Sequence, residues 1–329
     1  MRPGIWSVPV PIPDNPLGYT LVYLLDSDRG PVLVDTGWDD DASFAHLTER
    51  VAEAGSDLAD VYGVLVTHHH PDHHGLSGRV QAASGAWIAM HADDAEVVTR
   101  RRESGDDWIL MTAHYLLDAG AGEDALGALP PADEMIDHRP PAPTLPNRLI
   151  ADGEQVDVPG WEVRAIHTPG HTPGHTCFVV TAEDVVLTGD CVLPRISPHI
   201  GLMHPDLDDA DHLGDYLVSL RRLRDGHASA EALPAHEHRF ADLAGRIDEL
   251  LAHHEDRLEE LRAILGHGGA LTGWDISERM TWSRDWSEIH FMMRRAALAE
   301  VVAHLRHLER IGEVEVEAGS SPTTYRLTG

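Results

Sequence analysis

The chain has 329 residues, enough for a sizeable core and an appendage, and its 25 basic against 55 acidic side chains give a net charge of −30. Such an acidic surface repels phosphate backbones and disfavours nucleic acid as a partner, and because every basic residue is arginine, Schiff-base chemistry and a P-loop lysine are excluded. The two cysteines, Cys177 and Cys191, are too few for a disulfide framework or a thiolate zinc finger, and both lie in apolar runs where buried free thiols are expected.

No apolar run approaches the roughly 18 residues of a membrane span. The opening MRPGIWSVPVPIPDNP has four prolines before Asn15 and no apolar stretch of the secretory kind, so the expectation is a soluble, cytoplasmic protein without a membrane partner. GYTLVYLLDSDRGPVLVDTG then reads as two strands around a polar turn. From Asp40 to Ala54 the apolar Phe44, Leu47 and Val51 recur at helical spacing, with Gly55 as a stop, and VYGVLV is a short buried strand running into THHHPDHHG. A helix near 76–83, a strand at AWIAM, and helical segments at 92–102 and 106–118 follow. The stretch 93–148, ending in the Pro-rich RPPAPTLPNR, is long for a connection in an α/β core and reads as an inserted helical cap.

Strands at GEQVDV, WEVRAIH, CFVVTA and DVVLTGD come next, then a helix over 207–225, a strand at ALPAH and a long helix over 240–265. GHGGALTG breaks that helix. Residues 1–266 therefore form one expected domain and 267–329 a second, in which a short helix (WDISERMTW), a longer one (Trp286 to Arg310) and strands EVEVE and TTYRL give a winged-helix-like pattern.

THHHPDHHG holds five histidines and an aspartate in nine residues. Alternation along an extended segment points His68 and His70 to one side, and Pro71 forces a turn that brings Asp72 and His73 to a neighbouring point. Imidazole and carboxylate suit zinc, and two such pairs suggest two metals. Further donors must come from elsewhere, and the candidates are His167, His171 and His175 in HTPGHTPGH, Asp190 ending LTGD and His236 ending LPAH, all at strand-to-loop transitions. His69 and His74 read as structural, and His238 as a solvated loop residue.

H-x-H-x-D-H at His68, His70, Asp72 and His73, TPGHT around His171, TGD at Asp190 and PAH at His236 occur in that order within roughly residues 5 to 240 and together resemble the metallo-β-lactamase superfamily. The resemblance implies a four-layer αββα sandwich with two divalent metals, most often Zn2+, at one edge. It implies that His68, His70 and His171 hold one ion, that Asp72, His73 and His236 hold the other, and that Asp190 bridges them. Asp35 in LVDTG also matches a recurrent family motif, with a structural role implied. PRISPHIGL, LPAHEHRF and the tail resemble the branch of β-lactamase-like protein 2, whose members include an endoribonuclease and acyl hydrolases.

The chemistry implied is hydrolysis by a bridging hydroxide, with Asp72 and Asp190 as the catalytic carboxylates. β-Lactamases of the superfamily carry cysteine or serine at the bridging position, so Asp190 points instead to glyoxalase II-like thioesterases, lactonases and phosphodiesterases. The expected substrate is a small-molecule thioester, ester or lactone. A phosphodiesterase or endoribonuclease activity is the first alternative, and a promiscuous β-lactamase-like activity the second. Trp108 and Tyr115 of the cap and His199 and His204 after Asp190 are candidate substrate contacts, and the tail is expected to serve a homodimer or cover the site.

Overall fold

In the computed structural model, the described residues are 3–104, 108–122, 125, 143–201, 210–317 and 321–329. Branched and aromatic residues build a six-stranded sheet from β1 (Ile5–Pro11), β2 (Tyr19–Leu25), β3 (Val32–Val34), β4 (Gly63–Leu65), β5 (Trp87–His91) and β6 (Arg148–Ile150), in that spatial order. The first three run antiparallel and β3 through β6 parallel. A five-stranded sheet contains β7 (Gln155–Val158), β8 (Trp161–His167), β9 (Thr176–Val180), β10 (Val185–Gly189) and β11 (Glu231–Pro234), ordered β11-β10-β9-β8-β7.

The inner faces of both sheets share one apolar core, in which Tyr23, Val34 and Leu65 of the first meet Val163, Phe178 and Leu187 of the second. The outer face of the first sheet buries Val22, Leu33 and Ile88 against α1 (Asp41–Glu53), α3 (Ser77–Ser84) and α4 (Ala92–Ser104) through Leu47, Val51, Val80, Ala95 and Val98. Asp40 caps α1 by accepting from the Ser43 amide at 2.7 Å. Beside the second sheet runs α6 (His212–His227), whose Ser219 and Arg222 donate to the carbonyls of Pro169 and His167. The layering is the αββα order expected.

The two edge strands of the six-stranded sheet were not anticipated. β1 contains Pro9 and Pro11 and lies at the sheet edge, paired among the described residues only with β2, where a missing N–H costs no ladder bond. β6 occupies the opposite edge, at the end of the Pro-rich connector.

The chain divides into two compact units, one of residues 1–105, 140–198 and 218–247, the other of 106–139, 199–217 and 248–329. This partition differs from a cut at 266. Residues of the expected cap on α5 (Trp108–Asp118), including Tyr115 and Leu116, pack with Ala119, Trp274, Leu298 and Ala299 of the second unit. That unit also holds β12 (Leu271–Thr272), α8 (Gly273–Arg279), α9 (Phe291–Arg310), β13 (Val314–Val316) and β14 (Thr324–Leu327), with a sheet ordered β12-β14-β13. α7 (Leu243–Gly266) runs from the first grouping into the second. Thr272 and Asp275 form a reciprocal capping box at the start of α8. Among the described residues no helix is long and apolar enough to cross a membrane.

Candidate metal centre

Strand ends deliver the side chains. After β4 the chain runs through Thr67 into the histidine cluster, and Pro71 opens the one-turn helix α2 (Pro71–His74), carrying Asp72 and His73. Asp190 follows β10 directly, His236 lies two residues after β11, and His171 stands in the connection between β8 and β9.

His68 Nε2, His70 Nδ1 and His171 Nε2 face one another at 3.0 to 3.2 Å. Nitrogens held tetrahedrally at about 2.0–2.1 Å from one ion stand about 3.3 Å apart. Close by, Asp72 Oδ2 is 3.5 Å from His73 Nε2 and 3.4 Å from His236 Nε2. Asp190 reaches both groups, its Oδ2 lying 3.5 Å from His171 Nε2 and 3.6 Å from His73 Nε2, and its Oδ1 3.4 Å from His236 Nε2. The donor atoms of each triad lie within 4.8 Å of one another.

Neighbouring residues fix which imidazole nitrogen faces inward. Thr67 Oγ1 donates to Asp35 Oδ2 at 2.8 Å, so it accepts from His68 Nδ1–H at 3.0 Å. His73 Nδ1–H donates to Asp35 Oδ2 at 2.8 Å, and His236 Nδ1–H to the Tyr19 carbonyl at 3.0 Å. In each ring Nε2 is thereby left as the inward donor. Asp35 holds this web from a left-handed backbone conformation (φ 62°) that aspartate tolerates better than most side chains.

The donor set fits a pair of cations on its own electrostatics. Burial holds His68 and His70 well below the usual imidazole range, with neighbouring rings adding to the effect, so both are neutral. Burial alone would raise Asp190, but His236 and His73 hold it well below the usual carboxylate range. Burial likewise opposes charge on His73 and His236, yet Asp72 and Asp190 keep His73 well above its ordinary value, and Asp190 and Asp72 push His236 up to about 10. His73 Nε2, His236 Nε2 and Asp190 Oδ1 are buried with no hydrogen-bond partner among the described residues. Buried polar atoms are rarely left so, and convergent ones are what a metal satisfies.

The other histidines have separate duties. His74 bonds Ser77 Oγ at 2.8 Å and the Thr144 carbonyl at 2.6 Å, away from both triads. His167 donates to the Pro173 carbonyl and stacks on His91, while His238 is exposed. His175 has a role that its sequence position did not reveal. Its Nδ1–H donates to Thr168 Oγ1 at 2.8 Å, and its Nε2 accepts the Asp190 amide at 3.1 Å, so it orients the backbone at Asp190. Cys177 and Cys191 are both buried thiols.

Of the expected substrate contacts, Tyr115 is buried in the cluster with Trp274 and Leu298, and His199 is half-buried in the second unit. Trp108 opens α5, and its side chain, like all of His204, lies outside the described residues.

A two-sheet αββα sandwich with clustered histidines and aspartates at its strand ends defines a class. The family model described as "Metallo-beta-lactamase superfamily" matches residues 15–236, and the chain belongs to that superfamily. A metallo-beta-lactamase family protein from Thermus thermophilus is similar over 99% of both chains, at 35% identity and a TM-score of 0.81. The beta-lactamase-like protein 2 homolog of Caenorhabditis elegans is 23% identical, over 92% of this chain and 83% of that protein. An atrochrysone carboxyl ACP thioesterase of Aspergillus novofumigatus is 32% identical over 51% of this chain and 48% of that protein. The chain spans 58% or less of the length of the fungal lactamase-like relatives it matches.

Proposed function

We propose that this hydrolase of the metallo-β-lactamase superfamily is a dinuclear enzyme of the glyoxalase II-like or lactonase-like kind, cleaving a small-molecule thioester, ester or lactone. The observation that carries the reading is the Asp190 carboxylate between the two triads, with its own Oδ1, His73 Nε2 and His236 Nε2 buried without a hydrogen-bond partner among the described residues. The similarity to a fungal protein named as an acyl-carrier-protein thioesterase supports acyl transfer to water over other chemistries.

His68, His70 and His171 would hold one divalent ion, zinc being one that this nitrogen and oxygen set suits, and Asp72, His73 and His236 the other, with Asp190 shared. Divalent ions held by these residues would supply Lewis acidity, bringing the pKa of a bound water from 15.7 to about 7 and polarising an acyl oxygen. The side chains supply the rest. Burial opposes ionisation of Asp72, but His73 and His236 lower its pKa, so it is an acceptor at neutral pH. Its side chain is 18% exposed against 11% for Asp190, which makes Asp72 the carboxylate that reaches an incoming water. Asp72 orients that water, takes its proton as the oxygen bonds to the acyl carbon, and returns the proton to the sulfur or oxygen that departs when the carbon–heteroatom bond breaks.

The second reading keeps the same centre for phosphodiester cleavage, with the net charge of −30 set against a nucleic-acid substrate. The helices α8 and α9 followed by the antiparallel β13 and β14 support a winged-helix-like tail. Elemental analysis of the purified protein should give two divalent metals per chain. A panel of acyl thioesters, lactones, a cephalosporin reporter and a phosphodiester should show thioester or lactone turnover, and turnover of the phosphodiester alone would overturn the acyl reading.

A further inference from the structure

Asp94 lies in the first turn of α4, and its side chain is fully buried. A carboxylate taken out of water must have its oxygens hydrogen-bonded. Three donors meet it: the His69 amide at 2.8 Å and Thr172 Oγ1 at 2.9 Å on Oδ2, and the Gly174 amide at 2.7 Å on Oδ1. His69 Nδ1 stands 3.2 Å from the same Oδ2. Burial would raise this carboxyl, but His69 and the donated hydrogen bonds bring it down to about 2.

These partners share a location. His69 separates His68 from His70, and Thr172 and Gly174 follow His171, so Asp94 ties together the two loops that carry the whole three-imidazole triad. The other triad is held by different groups, His73 by Asp35 and His236 by the Tyr19 carbonyl. α4 gives the clamp a rigid base, because its Ala95 and Val98 are part of the core. The approach at Gly174 is so close that a Cβ there would fall 2.4 Å from the Asp94 nitrogen.

We infer that Asp94 is a positioning residue for one metal only, fixing the spacing of His68, His70 and His171 from outside the centre. The inference rests on the reading that these three imidazoles hold an ion. All the hydrogen-bonded partners of Asp94 are donors, so an amide at this position, equal in size, would set its own N–H2 against at least one of them.

The test uses the full chain, freed of metal by a chelator and titrated with Co2+. The wild type should take up two ions. Asp94→Asn should keep one at wild-type affinity and bind the other roughly 10- to 100-fold more weakly, the usual cost of removing a group that orients a ligand. The loss should coincide with that of His171→Ala, so that combining the two changes removes little further tight binding. Thr172→Val, which deletes a single hydrogen bond, should weaken the same ion severalfold, and it carries the test if Asp94→Asn does not fold. Two ions bound at wild-type affinity in Asp94→Asn, or in Thr172→Val where that variant stands in, would overturn the inference. So would a lowered melting temperature of the metal-free variant with unchanged Co2+ binding, since that marks a structural prop alone. A wild type that binds no Co2+ would overturn the metal-centre reading itself, and this inference with it.

Discussion

Replacing Asp190 by alanine is expected to leave fewer than two metals per chain and to reduce hydrolysis by more than roughly 100-fold, the upper cost of removing a group that merely orients a metal ligand. The reason is geometric. Asp190 is the carboxylate whose two oxygens stand within 3.6 Å of His73, His171 and His236, so its removal takes an anionic donor from both triads at once. The remaining rings then face each other with less counter-charge, and metal affinity should fall by more than the roughly 10- to 100-fold that an outer partner costs. His74→Ala is the matched control in the same histidine-rich stretch. Its ring bonds only Ser77 and the Thr144 carbonyl among the described residues, so the variant should retain two metals and lose about 1–3 kcal/mol of stability through the unsatisfied carbonyl. Elemental analysis and thermal melting of the two variants side by side measure both effects. The opposite ranking in metal content would overturn the ligand assignment.

That contrast also shows what the sequence made legible. The triad candidates could be read because each lies in a short motif at a strand end, where alternation and Pro71 dictate direction. His69 could be set aside from its ligand neighbours for the same reason. Asp94 could not be read this way. In HADDAEVV it looks like an ordinary acidic residue in the first turn of a helix, and its partners lie 25, 78 and 80 positions away. The role of His175 was hidden similarly, since its bond to the Asp190 amide exists only once β9 and β10 pair. β1 was missed through a local rule applied without its tertiary exception, proline being compatible with an edge strand. The grouping of Tyr115 with Trp274 and Leu298 depends on contacts across more than a hundred residues, for which composition and periodicity carry no signal.

A second large effect is expected far from the metal ligands, in the response of stability to acid. His254 and His304 are both buried, at 0% and 1% exposure. His304 Nδ1–H donates to the Glu300 carbonyl at 2.7 Å, so its Nε2 accepts from His254 Nδ1–H at 3.1 Å, and His254 Nε2 has no hydrogen-bond partner among the described residues. A proton on either ring would place a charge in the core beside the other ring, His253 and Arg257. Burial first, and these neighbours after it, lower His254 to about 2; burial also dominates in bringing His304 to about 4, against the opposing hydrogen bond to Glu300. Both folded values lie below the ordinary 6.5, so the stability tied to the neutral pair is fully present above pH 6.5. It falls as the pH drops, because the unfolded chain takes up protons that the fold refuses. Each group costs about 1.4 kcal/mol per pH unit in that window, or about 2 kcal/mol each by pH 5. Thermal melting of the metal-free chain from pH 7.5 to 5 should therefore show a fall on the order of 10 °C from this pair. In His254→Leu/His304→Leu that part of the slope should disappear, and equal slopes in the two proteins would show that another set of groups governs the acid response.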